Sequence, residues 1–189
     1  MHLWFGEASP MRLFIGMQIG KSMINGYDEL SGELARIDWV KPIQPNQMHL
    51  TLKFIGDYPD EKVPELAESL AAVKFSGFML RLQGIGVFPD VERARIVWIG
   101  CKSAELAALA KKIAAATKGT GDEREFSGHL TIGRIKTIKD KNQMITLLSR
   151  YGARQFGEVN VGSFELVKST LTNDGAIYAT VRKFDSHDG

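Results

Sequence analysis

The sequence carries two similar tetrapeptides, His49-Leu50-Thr51-Leu52 and His129-Leu130-Thr131-Ile132, which lie 80 residues apart. Each alternates polar and apolar side chains, a pattern typical of a half-buried β-strand. Because side chains alternate between the two faces of a strand, each histidine should share a face with the threonine two residues later. The leucines and the isoleucine should then be buried on the opposite face.

The paired motifs indicate a phosphate site. Two imidazoles across a cleft suit a reaction that removes one proton and delivers another, because histidine titrates near neutral pH. The two threonine hydroxyls can bind anionic oxygens, which predicts a pocket for a phosphodiester displaced in line. A single histidine in a strand is more often structural. However, the chance that two of the four histidines begin the pattern His, apolar, Thr, apolar in a random sequence of this composition is roughly one in a thousand.

The composition narrows the class of protein. The 189-residue chain is 44% hydrophobic and 24% charged, which excludes disordered, collagen-like and coiled-coil classes. Its net charge of +2 is too small for a non-specific DNA binder or a polybasic membrane surface. The single cysteine, Cys101, excludes an intrachain disulfide and favours the cytoplasm. Without short-spaced histidine or cysteine pairs, we expect no metal and no cofactor.

The order of elements predicts the fold. Helical patterns over 22–37, 60–73, 103–118 and 139–151 alternate with strands that look hairpin-connected, and residues 38–42 break the pattern. The order strand, helix, strand, strand occurs once in each half of the chain. We therefore predict a bilobal α+β fold, with two pseudo-symmetric antiparallel sheets backed by helices around a central cleft. We expect residues 1–10 to be a leader or non-native extension, and residues 11–189 to form a single bilobal domain that is a monomer.

With its two His-x-Thr-x motifs, the chain resembles the 2H phosphoesterases, and within them the RNA 2′,3′-cyclic phosphodiesterases, once called 2′–5′ RNA ligases. The resemblance begins at Met11, covers nearly the whole chain and includes the segments Arg12-Leu13-Phe14-Ile15 and Val97-Trp98-Ile99-Gly100. It implies a bilobal fold with the motif strands lining the cleft. The family commonly has proline before the second motif, whereas this chain has Gly128, from which we expect a looser loop.

The resemblance also implies a reaction, the metal-independent hydrolysis of a 2′,3′-cyclic phosphate at an RNA 3′ end to a 2′-phosphate. His49 would donate a proton to the leaving O3′ and His129 would activate water, although the near-symmetry of the motifs leaves the reverse assignment open. Thr51 and Thr131 would hold phosphate oxygens, and Arg134 would add a charge-assisted contact, unless it forms a surface salt bridge. The implied substrates are RNA ends, tRNA fragments or small cyclic nucleotides.

Two other functions fit the same motifs. The reverse chemistry would join RNA ends, as a 2′–5′ RNA ligase acting on tRNA halves. A non-catalytic module that binds RNA ends could keep the cleft without turnover, although both tetrapeptides are whole here.

The expected roles of three residues near the motifs depend on strand geometry. On an unbroken strand, Lys53 shares the face of His49, so we expect it either to contact the RNA backbone or to be solvated. Phe54 would face away from the cleft unless a bulge intervenes. Phe54 and Trp98 could stack a nucleobase, but aromatic residues in apolar strands are more often part of the core.

Overall fold

The computed structural model describes residues 10–173 and 175–187 as an α+β fold. The predicted extension at residues 1–10 thus lies, except for Pro10, outside the described residues. The described strands are β1 (Met11–Gln18), β2 (Val40–Pro42), β3 (His49–Tyr58), β4 (Phe78–Phe88), β5 (Ile96–Lys102), β6 (His129–Ile135), β7 (Gln155–Val161), β8 (Ser163–Thr172) and β9 (Gly175–Asp185). The helices are α1 (Tyr27–Ala35), α2 (Val63–Ala71), α3 (Ala104–Ala116) and α4 (Lys141–Tyr151), with short 3-10 turns at Lys21–Met23, Pro45–Gln47 and Asp60–Lys62.

The local sequence explains where the helices begin. Helix α3 starts after Ser103, whose hydroxyl accepts a hydrogen bond from the Leu106 amide, and α4 starts after Asp140, whose carboxylate accepts from two amides. Helix α1 is shorter than the predicted segment 22–37. Gly26 lies directly before it with a left-handed φ of 71°, which separates the Lys21–Met23 turn from the helix. The prediction of one continuous helix from residue 22 is therefore wrong.

Strand β2 lies in the segment 38–42 that was expected only to break the pattern. It pairs with β6 through Val40 opposite Ile135 and Lys41 opposite Arg134. A strand of three residues is too short to produce a recognisable alternation, and its last residue is Pro42, which is tolerated at the end of an edge strand. The sequence therefore offered no signal for it.

The described strands form a single antiparallel sheet in the order β7-β4-β5-β6-β3-β1-β8-β9, with β2 on β6. Strands β3 and β6 are joined by one residue pair, Leu50 opposite Leu130. On one side of that pair lies a lobe built on β1, β3, β8 and β9, and on the other a lobe built on β2, β4, β5, β6 and β7. The predicted α+β fold class is confirmed, and the two expected sheets are continuous through this pair.

The helices cross between the lobes. Helix α1 follows β1 in the chain but packs on β2, and α3 follows β5 but packs on β3. Helix α2 packs on β9 and α3, whereas α4 packs on β4. Each lobe therefore combines elements from both halves of the chain.

The apolar core lies between the sheet and the helices. Leu50, Leu52, Leu130 and Ile132 are each at most 5% exposed, as the alternation in the two tetrapeptides predicted. Their burial fixes which face of each motif strand is turned outward. In the part of the chain that the structure describes, no helix combines the length and apolar character needed to cross a membrane.

Candidate active site

The two motifs meet on one cavity. It has a volume of about 800 Å³ and lies at the junction of the lobes, where β3 and β6 are neighbours. It brings together all of the predicted site residues, namely His49, Thr51, His129, Thr131 and Arg134. The expected central cleft is thus present, with one motif contributed by each lobe.

Both catalytic candidates are anchored in the same way. The Nδ1 atom of His49 lies 2.8 Å from the carbonyl oxygen of Gln47, and that of His129 lies 2.7 Å from the carbonyl oxygen of Ser127. A carbonyl oxygen only accepts hydrogen bonds, so Nδ1 carries the proton and donates in both rings. Nε2 is therefore the nitrogen of each ring that can exchange a proton with a bound molecule.

Aromatic rings hold the imidazoles in place. Phe14 and Tyr178 lie with ring centroids 4.6 Å and 4.7 Å from that of His49, and the ring of Phe88 lies 5.1 Å from that of His129 with the two planes nearly perpendicular. These contacts fix each ring plane in addition to the anchored nitrogen. Neither histidine can rotate without breaking both kinds of contact.

The environment of His49 lowers its pKa below the ordinary value for histidine. Burial is the largest cause, and the positive charge of Arg134 acts in the same direction, as does that of His129 when this ring is protonated. The hydrogen bond to the carbonyl of Gln47 opposes these effects and raises the pKa. In the protein without substrate, His49 is therefore held in its neutral form more strongly than an exposed histidine.

A one-residue bulge follows the threonine in both motif strands. In β3, Thr51 is opposite Gly16 and Lys53 is opposite Ile15, so Leu52 has no partner. In β6, Thr131 is opposite Trp98 and Gly133 is opposite Val97, so Ile132 has no partner. Beyond the extra residue, the alternation of side chains between the two strand faces is reversed. Residues that follow the histidine by an odd number of positions then lie on the same face as the histidine.

The bulge in β3 overturns the expectation for Lys53. Its side chain points away from the cavity and the residue is only 6% exposed, so it neither faces the cleft nor is solvated. Its ammonium group donates to the carbonyl oxygen of Thr117 at 3.0 Å and lies 3.2 Å from a carboxylate oxygen of Glu123. Phe54 takes the place in the cavity wall that the alternation assigned to Lys53, and it is 48% exposed.

The equivalent bulge in β6 turns Arg134 into the cavity. Arg134 lies five residues beyond His129, an odd spacing that an unbroken strand would direct to the opposite face. Among the described residues, no carboxylate forms an ion pair with Arg134. The alternative interpretation of Arg134 as a surface salt bridge is therefore not supported.

The cavity is basic. Among the described residues, its charged lining consists of the cations Arg12, Lys41, Arg124 and Arg134 and the carboxylate Asp122. Sequence reasoning gave no role to Arg12, Lys41 or Arg124. Lys41 was missed because it belongs to β2, and Arg124 because it lies in the loop between α3 and β6, where spacing carries no information. The excess of positive charge suits an anionic ligand.

Gly128 does not loosen the loop before the second motif, contrary to expectation. Its carbonyl oxygen accepts a hydrogen bond from the Cys101 amide at 3.1 Å. A Cβ atom at this position would lie 2.2 Å from the carbonyl oxygen of Cys101. Glycine is needed here because the two backbones approach so closely, and the loop is tightly held. Cys101 itself is buried, which raises the pKa of its thiol to about 12.

Trp98 does not line the cavity. Its ring lies 5.1 Å from that of Phe88, and it covers Gly86 so closely that a Cβ there would lie 2.2 Å from the indole. Trp98 thus belongs to the packing behind His129. Within residues 10–173 and 175–187, no three His, Cys, Asp or Glu side chains are grouped so that they could hold a metal ion.

Comparison with known proteins gives consistent matches over most of the chain. The family described as LigT like phosphoesterase matches residues 23–98 and 99–178. An RNA 2′,3′-cyclic phosphodiesterase of Archaeoglobus fulgidus is 34% identical over 178 residues, which cover 93% of this chain and 100% of that protein. One of Aquifex aeolicus is 34% identical over 182 residues, covering 92% and 96%.

Solved structures match the fold over most of the chain. A crystal structure of a Thermus thermophilus protein superposes with a TM-score of 0.79 at 27% identity and covers 93% of this chain and 97% of that one. E. coli LigT complexed with 3′-AMP superposes with a TM-score of 0.72 at 21% identity, covering 95% and 99%. The second likeness concerns the fold alone.

Proposed function

This chain belongs to the LigT-like phosphoesterase family, and we propose that it hydrolyses 2′,3′-cyclic phosphates at RNA 3′ ends to 2′-phosphates. The relatives named RNA 2′,3′-cyclic phosphodiesterase support an RNA substrate. The observation that carries the proposal is the pair of imidazoles, one from each lobe, anchored in the same way on one basic cavity. Such a pair can remove one proton and deliver another at a single phosphate.

The proposed reaction needs both histidines and a water molecule. His129 accepts a proton from water at Nε2 as the water oxygen forms a bond to phosphorus. The bond from phosphorus to O3′ breaks, and His49 donates its Nε2 proton to O3′. The product carries a phosphate on O2′ and a hydroxyl at C3′. Each turnover leaves one proton on His129 and removes one from His49, and exchange with solvent restores both.

The remaining motif residues would stabilise the phosphate. Thr51 and Thr131 share the cavity face with the histidines, so their hydroxyls can donate to the non-bridging oxygens. Arg134 adds a positive charge where negative charge develops in the transition state. In this scheme the chain's own side chains supply every donor, acceptor and proton, without a metal ion.

The lowered pKa of His49 bears on its role as the acid. An acid must carry its proton when O3′ leaves, whereas burial and Arg134 favour the neutral ring in the protein without substrate. A bound phosphate brings negative charge beside Arg134 and so favours the imidazolium form. We therefore propose that substrate binding protonates His49. The reverse assignment of acid and base uses the same residues.

A product assay tests the reaction. The purified protein is incubated with an oligoribonucleotide that ends in a 2′,3′-cyclic phosphate, in excess EDTA, and 2′- and 3′-phosphate products are resolved. We expect a 2′-phosphate with the unmodified chain, and a loss of roughly 10²- to 10⁴-fold in His49→Ala and in His129→Ala. A 3′-phosphate, inhibition by EDTA or undiminished turnover in both variants would contradict the proposal. Tight binding without turnover would instead favour an RNA-end-binding module.

A second substrate separates the acid from the base. When sulfur replaces the bridging O3′, the leaving thiolate needs no proton. We expect His49→Ala to recover most of its activity on this substrate, while His129→Ala remains defective. Recovery by His129→Ala alone would reverse the two roles.

A further inference from the structure

We propose that Phe54 and Arg124 form a second subsite, which binds the RNA chain one nucleotide before the reacting end. Phe54 would stack the base of the penultimate nucleotide, and Arg124 would pair with the phosphodiester that joins it to the terminal one. The inference rests on the proposed function, because it assigns the part of the cavity that the reacting phosphate does not need.

Phe54 contributes an aromatic ring to the cavity wall. It is 48% exposed although it lies in a strand of the central sheet, because the bulge at Leu52 turns it outward. Phe14 is a neighbour of both this ring and the catalytic imidazole, with its centroid 6.3 Å from that of Phe54 and 4.6 Å from that of His49. An exposed ring in the wall of a basic cavity is a stacking surface for a base, and it lies beyond the catalytic imidazole.

Arg124 belongs to a loop that is bonded to the backbone of Phe54. The Asp122 amide donates to the carbonyl oxygen of Phe54 at 2.8 Å. Gly121 has a left-handed φ of 71° and lies so close to the strand that a Cβ atom would be 2.3 Å from the same carbonyl oxygen. The loop carrying the cation and the strand residue carrying the ring are thus fixed to each other.

Lys53 holds the same loop from the other side of the strand. Its buried ammonium group bonds to Thr117 and Glu123, and Glu123 also accepts a hydrogen bond from the Gly119 amide at 3.2 Å. The loop is therefore anchored at its beginning and its middle to the residue next to Phe54. A preorganised subsite needs this kind of support, because a loosely held loop would lose binding energy to ordering.

The guanidinium group of Arg124 is oriented but not saturated. Its Nε donates to both carboxylate oxygens of Asp122, at 2.8 Å and 3.0 Å, and its Nη2 also contacts this carboxylate. Arginine has five N–H groups, so donors remain for a second acceptor. The side chain is 84% exposed, which leaves it accessible to an RNA phosphate. Partial neutralisation by Asp122 suits a singly charged phosphodiester better than a doubly charged terminal phosphate.

Two substrates test the subsite. A nucleoside 2′,3′-cyclic phosphate has neither a 5′-phosphodiester nor a preceding base, whereas a dinucleotide with the same end has both. We expect Phe54→Ala and Arg124→Ala each to lower kcat/KM for the dinucleotide by about tenfold and to leave the mononucleotide within about twofold. Equal losses on both substrates, or no loss on the dinucleotide, would overturn the proposal.

Matched controls lie outside the cavity. Arg93 forms the same kind of exposed ion pair, with Asp90, and Met79 is 55% exposed on β4. Arg93→Ala and Met79→Ala should leave both substrates unaffected. A loss in either control equal to that in the test variants would indicate a general effect of surface truncation and would overturn the assignment.

A binding assay tests the subsite even if neither substrate is hydrolysed. The absence of hydrolysis would contradict the proposed function but not the subsite. A fluorescent oligoribonucleotide ending in a 2′-phosphate is titrated at several salt concentrations. Arg124→Ala should weaken binding about tenfold and reduce the slope of log Kd against log salt by about 0.7, as for one lost phosphate contact on a single strand. Phe54→Ala should weaken binding at an unchanged slope. Unchanged binding in both variants would refute the subsite.

Discussion

Phe54 and Arg134 hold equivalent positions in the two motif strands, each five residues beyond its histidine and each turned into the cavity by a one-residue bulge. The two strands thus have the same backbone pattern through the bulges, and their side chains differ at the fifth residue after each histidine. One strand presents an aromatic ring and the other a guanidinium group. The positive charge of Arg134 lowers the pKa of His49, so the difference between the two strands acts directly on one imidazole.

Replacing Arg134 should change both this pKa and the reaction. In Arg134→Gln, the pKa of His49 should rise, because one of the charges that lowers it is removed. Turnover of a cyclic-phosphate substrate should fall by about 10- to 100-fold, as expected when a hydrogen bond to a charged group is lost. NMR titration of the His49 ring and steady-state kinetics measure the two effects. Lys168→Gln, a change outside the cavity lining, serves as the control, and a fall in the pKa of His49 in Arg134→Gln would contradict the assignment.

The lowered pKa of His49 also predicts how stability depends on pH. The folded chain binds a proton at His49 less readily than the unfolded chain, so stability rises with pH wherever the two states differ in protonation. This contribution is complete above the ordinary pKa of histidine, about 6.5, and is lost as pH falls through the lower folded-state value. Thermal unfolding between pH 7 and 5 should show a smaller decrease in Tm for His49→Gln than for the unmodified chain. An equal decrease in both would exclude this origin.

The threonine hydroxyls can be removed with little change in side-chain shape. Thr51→Val and Thr131→Val should each lower kcat/KM by about tenfold or more, because each removes a donor to a charged phosphate oxygen. The Thr146 hydroxyl lies on α4 and bonds to the carbonyl of Asn142, so Thr146→Val is a matched control. Normal activity in both cavity variants would show that the threonine hydroxyls do not contribute to the reaction.

The close approach of Gly128 to the backbone of Cys101 predicts that a larger residue at this position would disturb the second motif. In Gly128→Ala, the added Cβ would meet the carbonyl oxygen of Cys101, and relief of that clash must shift the residue before His129. We expect a loss of about 1 to 3 kcal/mol in the free energy of unfolding, together with reduced turnover. Gly162 has open space around its Cα, so Gly162→Ala should cost nothing. Equal stability of the two variants would contradict the tight packing at Gly128.

The buried contacts of Lys53 predict that two substitutions should differ in their cost to the free energy of unfolding. Lys53→Met should reduce the free energy of unfolding by about 1 to 3 kcal/mol, because it removes a charge-assisted hydrogen bond to the carbonyl oxygen of Thr117, which keeps the Thr120 amide as a donor. Glu123→Gln should cost less than about 1 kcal/mol, because the Glu123 side chain is 56% exposed. Urea denaturation of both variants measures this difference. A larger cost for Glu123→Gln would mean that the ion pair, and not the carbonyl bond, stabilises the loop.

The sequence predicted those features that depend on periodicity. The tetrapeptides located two motif strands and their buried faces, and the helical pattern over 103–118 located α3. A bulge before Phe54 was considered only as an alternative, and neither the bulge at Leu52 nor that at Ile132 could be located, because an extra residue leaves no mark in a two-residue alternation. The prediction for Lys53 was wrong for this reason, and the orientation of Arg134 depended on the family resemblance.

Several expectations stay predictions. The monomeric state, the cytoplasmic location and the leader or extension at residues 1–10 are of this kind. So is any activity on tRNA fragments or as a ligase, which product analysis with tRNA halves would measure. Water at roughly 55 M favours hydrolysis unless binding positions a second RNA end, so we expect ligation to be minor.

The crossing of helices and strands between the lobes has a consequence for how the chain folds. Each half of the sequence contributes to both parts of the sheet, with β1 and β3 joined by β8 and β9, and β2 and β4 joined by β6 and β7. The halves are entwined as two protomers are in a domain-swapped dimer, but within one chain. Neither half can bury its apolar surface alone, so the molecule should unfold in one cooperative transition. The two imidazoles therefore lie together on one cavity only when both halves of the chain are folded.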